Sequence, residues 1–277
     1  MTTIGPDAGP LPAAPGPRAL REVIGSLPFR LQMAGGWIDQ PFLSKHNPEP
    51  PGSMVVVSLQ PTVPFMARAG MATGTRAAAR ALWGDGLPAA RSPEILVREL
   101  YAAENADLVE PSGSQDMCGL IYPGISRLDY DASVEGGWFP AHVESTTDPD
   151  VVAWLERVIH LVPVGQRPPG YGPLGVKNLD PEWIARLGAS GRACYDAILA
   201  MDLRGLGASL NECWHAWDAI LPQVLEHPAI TIDLRGLLAA YSAEYPGVMT
   251  SGCGGGYLIV ASENEPPGSC RVSIRTS

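Results

Sequence analysis

Apolar residues fall in short, β-branched runs through the first half of the chain and at helical spacing through much of the second. Phe29–Met33 reads as a strand that leads into a glycine turn. Ser53–Leu59 (Ser-Met-Val-Val-Val-Ser-Leu) has the composition of a short buried strand, ended by Pro61 and Pro64. Thr75–Trp83 is alanine-rich and predicts a short helix. Pro93 suits a helix start, and Ile95, Leu96, Leu100 and Tyr101 carry the pattern on to Asn105, with Glu104 near the end. Residues 106–116 read as a loop, and Arg127–Asp131 and Val158–Val164 as strands. Helical patterns return over 181–200, 205–221 and 231–244; Pro246-Gly247 stops the last, and a glycine loop and a strand pair follow. This order predicts an α+β fold in two lobes. The Pro/Gly-rich run 165–180 is the expected boundary, giving lobes over 19–165 and 166–277. Residues 1–18, rich in Pro, Gly and Ala, read as a disordered tail.

Composition narrows the class. The 277 residues are 45% hydrophobic and 17% charged, as in globular proteins. No apolar run approaches the roughly 20 residues of a membrane helix, and the N-terminus lacks the pattern of a signal peptide, so a cytoplasmic location is expected. Five cysteines without tight spacing fit reduced thiols better than disulfides. Net charge is −10 with no Lys/Arg cluster, which argues against nucleic acid as a partner. An acidic chain still binds phosphate where backbone amides and a metal ion supply local positive potential.

Three glycine-rich segments stand out: Ala34-Gly35-Gly36-Trp37-Ile38-Asp39 after the first strand, Arg68–Arg76 before the alanine-rich helix, and Ser251–Tyr257 before Leu258-Ile259-Val260. In the second, glycines let backbone N–H groups approach a ligand, and Thr73 and Thr75 add hydroxyls at a helix start. An ordinary helix capped by one of these threonines accounts for the same residues. Asp116, after Ser112-Gly113-Ser114-Gln115, is either a helix cap or a carboxylate beside a substrate hydroxyl. Glu104 is either a solvated helical residue or a magnesium ligand facing the same cavity. The third segment does not fit a dinucleotide fingerprint, because Tyr257 stands where its last glycine belongs and a strand follows. Cys213-x-His215 matches no zinc pattern.

From about residue 27 onward, the order and spacing of these pieces resemble the GHMP small-molecule kinases, which include galactokinase, homoserine kinase and mevalonate kinase. Pro28-Phe29-Arg30 with Ala34–Asp39 is similar to the first family motif, nearest the heptose-phosphate and fucose kinase variant. Gly70-Met71-Ala72-Thr73-Gly74-Thr75 stands in the place of the phosphate loop. Ala103-Glu104-Asn105 resembles the helix end with the magnesium-binding glutamate, Ser114–Met117 the segment with the catalytic aspartate, and Ser251–Tyr257 the third motif.

The resemblance implies a ribosomal-S5-like first lobe and a ferredoxin-like second. It implies ATP and Mg2+ as cofactors and a sugar or polyol hydroxyl as acceptor. By it, residues 70–75 hold phosphate and Glu104 holds magnesium with a threonine hydroxyl, Thr73 being the first choice and Thr75 the other, or with a water in that place. Asp116 orients or deprotonates the acceptor, and Arg30 stabilises charge. Asp39, Trp37, Gly35, Gly36, Gly254 and Gly255 meet the substrate. The usual serine-rich loop has Gly74 here, which keeps a non-catalytic nucleotide or sugar sensor as the alternative. The assembly state is left open, a homodimer included.

Overall fold

The computed structural model describes residues 25–47 and 49–277. The expected tail at 1–18 lies outside them. Two antiparallel sheets organise the chain. In the first, strands run in the order β1 (Phe29–Gln32), β2 (Gly52–Leu59), β3 (Ile125–Tyr130), β4 (His142–Thr146). Its register sets Arg30 opposite Ser58 and Val57 opposite Ile125. All eight residues of β2 are buried. Its run of valines is apolar on both faces because α4 (Gln115–Ile121) and α6 (Pro181–Leu199) both pack against it. Gly188 and Gly191 let α6 come close: a Cβ on Gly188 would stand 2.7 Å from the Gly52 Cα, and one on Gly191 2.8 Å from the Met54 Cα.

In the second sheet the order is β6 (Gly247–Thr250), β7 (Gly256–Ala261), β5 (Ile159–Gly165), β8 (Cys270–Arg271). Helix α7 (Leu203–Ile220) packs on α6 and on β6, and α8 (Leu234–Glu244) also leans on β6. The α+β class expected from the sequence is the observed one. No helix among the described residues is long and apolar enough to cross a membrane.

The differences have local and long-range causes. Asp202 accepts the Arg204 N–H and Asp233 the Gly236 N–H, which sets the true helix starts at Leu203 and Leu234. Strand β4 and helix α5 (Pro149–Val158) were not anticipated; α5 opens on Pro149 under an Asp148 cap. The run 165–180 does not divide two independent layers. Strand β5, before it, lies inside the second sheet, while α6, after it, covers the first. The expected spans 19–165 and 166–277 therefore each supply parts of both layers. The S5-like and ferredoxin-like lobe descriptions remain implications of the resemblance.

Candidate functional site

A cavity of about 750 Å³ is lined by Gly70 and Ala72–Thr75 of the second glycine segment, by Ser251–Cys253 of the third, and by Trp37 of the first. The second and third segments interlock. The Ser251 hydroxyl donates to the Ala69 carbonyl at 2.7 Å. Gly70, at φ +73°, has no room for a side chain: a Cβ would overlap the Ser251 carbonyl oxygen and stand 2.7 Å from the Gly252 Cα.

Not every glycine meets the cavity. The Gly35 amide donates to the Cys213 sulfur at 3.3 Å, and the Gly36 carbonyl accepts from the Trp217 indole at 2.9 Å. These two anchor the first segment to α7, and the next residue, Trp37, reaches the wall in a left-handed conformation (φ +78°). Gly254 faces the Tyr171 ring and Gly255 the Gly165 carbonyl. Met71 is fully buried in the core. None of these five lines the cavity; each is taken up by packing behind it.

Helix α2 (Thr73–Trp83) opens at Thr73 rather than Thr75. It follows Ala72 in a left-handed turn, has no side-chain cap, and carries no acid in its first turn. Neither threonine caps it: the Thr73 hydroxyl accepts from the Arg68 amide, and the Thr75 hydroxyl donates to Asp116 Oδ2, both at 3.3 Å. The first amides of a helix have no intrahelical partner and carry the positive end of its dipole. Here they border the cavity. A Cβ on Gly74 would meet nothing within 4 Å, so the approach is open. Arg76, which would oppose the dipole, turns away from the cavity; its guanidinium donates to the Leu27 carbonyl at 3.0 Å and stacks 4.0 Å from the Phe29 ring centroid.

A compact charged cluster flanks this helix start. Arg30, projected by β1 and 4% exposed, is ion-paired with Asp116 and donates to the Gly70 carbonyl at 3.1 Å. Burial brings its pKa down to about 10, with Asp39 raising it and Arg167 lowering it, so it is charged at neutral pH. Asp116 lies in the first turn of α4 and is not its cap. Glu104, in the last turn of α3 (Pro93–Asn105), has its pKa raised by burial against a Thr75 hydrogen bond and Arg30. Its Oε2 is buried without a partner.

No group of three or more His, Cys, Asp or Glu among the described residues is placed to hold a metal. Glu104 with Thr75 fits magnesium nonetheless, because that ion takes one or two protein oxygens and completes its shell from phosphate and water. Thr75 is the hydroxyl placed for this. Thr73, the first choice from sequence, is turned to the Arg68 amide.

Asp39 does not line the cavity. It is fully buried directly behind Gly113; its Oδ2 accepts the Gln115 N–H at 3.3 Å, and its Oδ1 has no partner. Burial pushes its pKa up to about 6, against the Gln115 amide and Arg30. The ordinary value is 3.8, so the folded state holds this proton more tightly than the unfolded chain. The resulting stability, about 3 kcal/mol at full size, is present below pH 4 and is lost as pH rises through 6. Asp39→Asn cannot ionise and escapes that loss. The melting temperature of wild type minus that of Asp39→Asn should fall between pH 4 and 6.5 and level off above. A difference that does not vary with pH would show that Asp39 is charged throughout.

Sequence reasoning missed the contribution of 165–180, where proline and glycine signalled only a break. The segment is a strap along the cavity. The Arg167 amide donates to the Arg68 carbonyl, and the Arg68 guanidinium returns bonds to the carbonyls of Arg167 and Pro168. Arg167 Nε donates to the Cys253 carbonyl at 2.8 Å. Arg68, Arg167 and Lys177 all line the cavity, as do Gln115 and Trp138. With Arg30, its lining holds four cations against Glu104, Glu110 and Asp116, in a chain of net charge −10.

No family model matches the chain, and neither does any curated protein sequence. Solved structures do. A D-glycero-D-manno-heptose 1-phosphate kinase from Bacteriodes thetaiotaomicron superposes with a TM-score of 0.53 at 12% identity, over 91% of this chain and 96% of that one. A mevalonate kinase superposes with a TM-score of 0.53 at 8% identity, over 91% and 99%. The chain has the fold of these GHMP-superfamily kinases.

Proposed function

We propose that the protein is an ATP-dependent kinase that phosphorylates a hydroxyl of a small molecule, a sugar or sugar-like polyol. One observation carries this: an uncapped helix start shares a cavity with a carboxylate that has an unpartnered buried oxygen, Glu104, and with a second carboxylate held beside it, Asp116. The shared fold supports the reading. Bound Mg·ATP supplies an electrophilic phosphorus and an ADP leaving group. Around it the amides at the start of α2, with Arg68 and Arg167, would face phosphate, and Glu104 and Thr75 would hold the metal. Asp116 accepts the hydrogen bond of the acceptor hydroxyl and aims its oxygen. As the new O–P bond forms and the bond to ADP breaks, the hydroxyl proton passes to Asp116 or to solvent. Arg30, ion-paired with Asp116, fixes the direction in which that carboxylate faces the acceptor.

Gly74, the position that suggests a binding-only protein, leaves open space while Thr75 provides the hydroxyl beside Glu104. The catalytic reading is therefore kept.

Calorimetry with Mg·ATP, followed by ADP release in the presence of candidate acceptors, tests the proposal. A protein with no affinity for ATP or ADP in magnesium buffer would sink it. Glu104→Gln should raise the magnesium concentration for half-maximal turnover by about tenfold, the scale of one lost charged contact. An unchanged magnesium dependence would remove Glu104 from the metal site.

A further inference from the structure

We propose that the acceptor carries an anionic group, a carboxylate or a phosphate, held by Lys177 at the aromatic end of the cavity. The inference rests on the kinase reading and specifies its substrate. The Lys177 ammonium stands 4.5 Å from the Phe42 ring centroid, and the rings of Phe42 and Trp37 are 6.4 Å apart. All three line the cavity and make one wall. Among the described residues Lys177 has no acidic partner; its contact is the ring.

The other charges of the cavity are placed elsewhere. Arg30 is paired with Asp116, and Arg68 and Arg167 are tied to backbone carbonyls beside the glycine loops, where a nucleotide's phosphates belong. Glu104 and Asp116 flank Thr75, and Glu110 is on the exposed rim. Asp39, the acid that the sequence offered to a substrate's hydroxyls, is sealed behind Gly113. The charge on the Trp37–Phe42 wall is therefore positive.

Lys177 is exposed at this wall, with its ammonium held against the ring, and there it offers charge-assisted donors to an anion. Gln115 supplies the other half of the recognition: the residue lines the cavity, and its side-chain oxygen, buried without a partner, would accept from a substrate hydroxyl once turned toward it. The acceptor then sets a hydroxyl toward Gln115 and Asp116, a C–H face on Trp37, and its anion on Lys177.

The test uses the full chain, magnesium and a non-hydrolysable ATP analogue for calorimetry, then ATP for turnover. The probes are two matched sets, glycerol, glycerate and glycerol 3-phosphate, and glucose, gluconate and glucose 6-phosphate. The charged members of at least one set should bind and turn over with higher kcat/KM than the neutral one, and the arms separate carboxylate from phosphate. Lys177→Met should raise KM for the preferred anion by about 10- to 100-fold, the range for a lost charge-assisted bond. Lys177→Arg should restore most of it, and Mg·ATP affinity should hold in both. Preference for a neutral member, or a Lys177→Met KM within about twofold of wild type, overturns the inference. So does a protein that binds Mg·ATP and none of the anions, which leaves the kinase reading standing. Failure to bind Mg·ATP strikes the kinase reading itself.

Discussion

Asp116→Asn should lower single-turnover phosphorylation by about 10²–10⁴-fold, the usual contribution of a positioned acid–base group, while Mg·ATP affinity holds. The carboxylate sits between the Arg30 guanidinium and the Thr75 hydroxyl, in the first turn of a helix whose start is served instead by Asp39 through the Gln115 amide. Helix capping is thus not its work. Asparagine keeps one oxygen for Arg30 and turns an amide N–H toward the Thr75 hydroxyl, which can accept it, but loses the charge. The cost outside catalysis is that Arg30, 4% exposed, loses its ion-pair partner. Breaking a buried pair this way costs up to about 3–5 kcal/mol, so each protein is first compared by melting temperature and by Mg·ATP calorimetry. A rate within about threefold of wild type, far below the expected effect, would remove Asp116 from the mechanism and leave phosphate positioning and metal to carry the reaction.

Gly70→Ala should both destabilise the protein and weaken Mg·ATP binding by at least about tenfold, whereas Gly74→Ala should do neither through strain. At Gly70 alanine would sit in a left-handed conformation, at a cost of about 1–2 kcal/mol. Its methyl would also press on Ser251 and Gly252 and part the two loops that frame the helix start. The resulting loop movement shifts the amides that face phosphate. The Gly70 carbonyl that accepts from Arg30 would move with them. At Gly74 nothing lies within 4 Å of the new methyl, and alanine favours the helix by up to about 1 kcal/mol. Thermal melting and calorimetry on both variants read the contrast. Equal behaviour of the two would mean that the loops do not interlock in solution as they do here.

The two glycines look alike in the sequence, and the contrast between them marks a boundary in what could be read there. Local signals were legible. The valine run of β2 and Pro93 at the first position of α3 each specify an element from neighbours only a few residues away. The order of three glycine segments was legible too; the second and third line one cavity, and the first reaches it only through Trp37. What each member does inside the cavity was not. Thr73 and Thr75 differ by two positions on one helix start. Only packing against Arg68 on one side and against Glu104 and Asp116 on the other separates their hydroxyls.

The same holds for the larger surprises. Asp39 is hidden because Gly113, over seventy residues later, covers it. Arg167 and Lys177 enter the site because β5 pairs with β7 and α6 packs on β2, which pulls the segment between them across the cavity. By itself the sequence determined the α+β class, most helix and strand identities and the three-loop pattern, since backbone preference and apolar spacing act over a few residues. The tertiary structure alone decided which polar groups face the cavity, which are sealed behind it, and which charges are left for a ligand. Burial and pairing depend on contacts between residues tens of positions apart or more, and no local pattern encodes those.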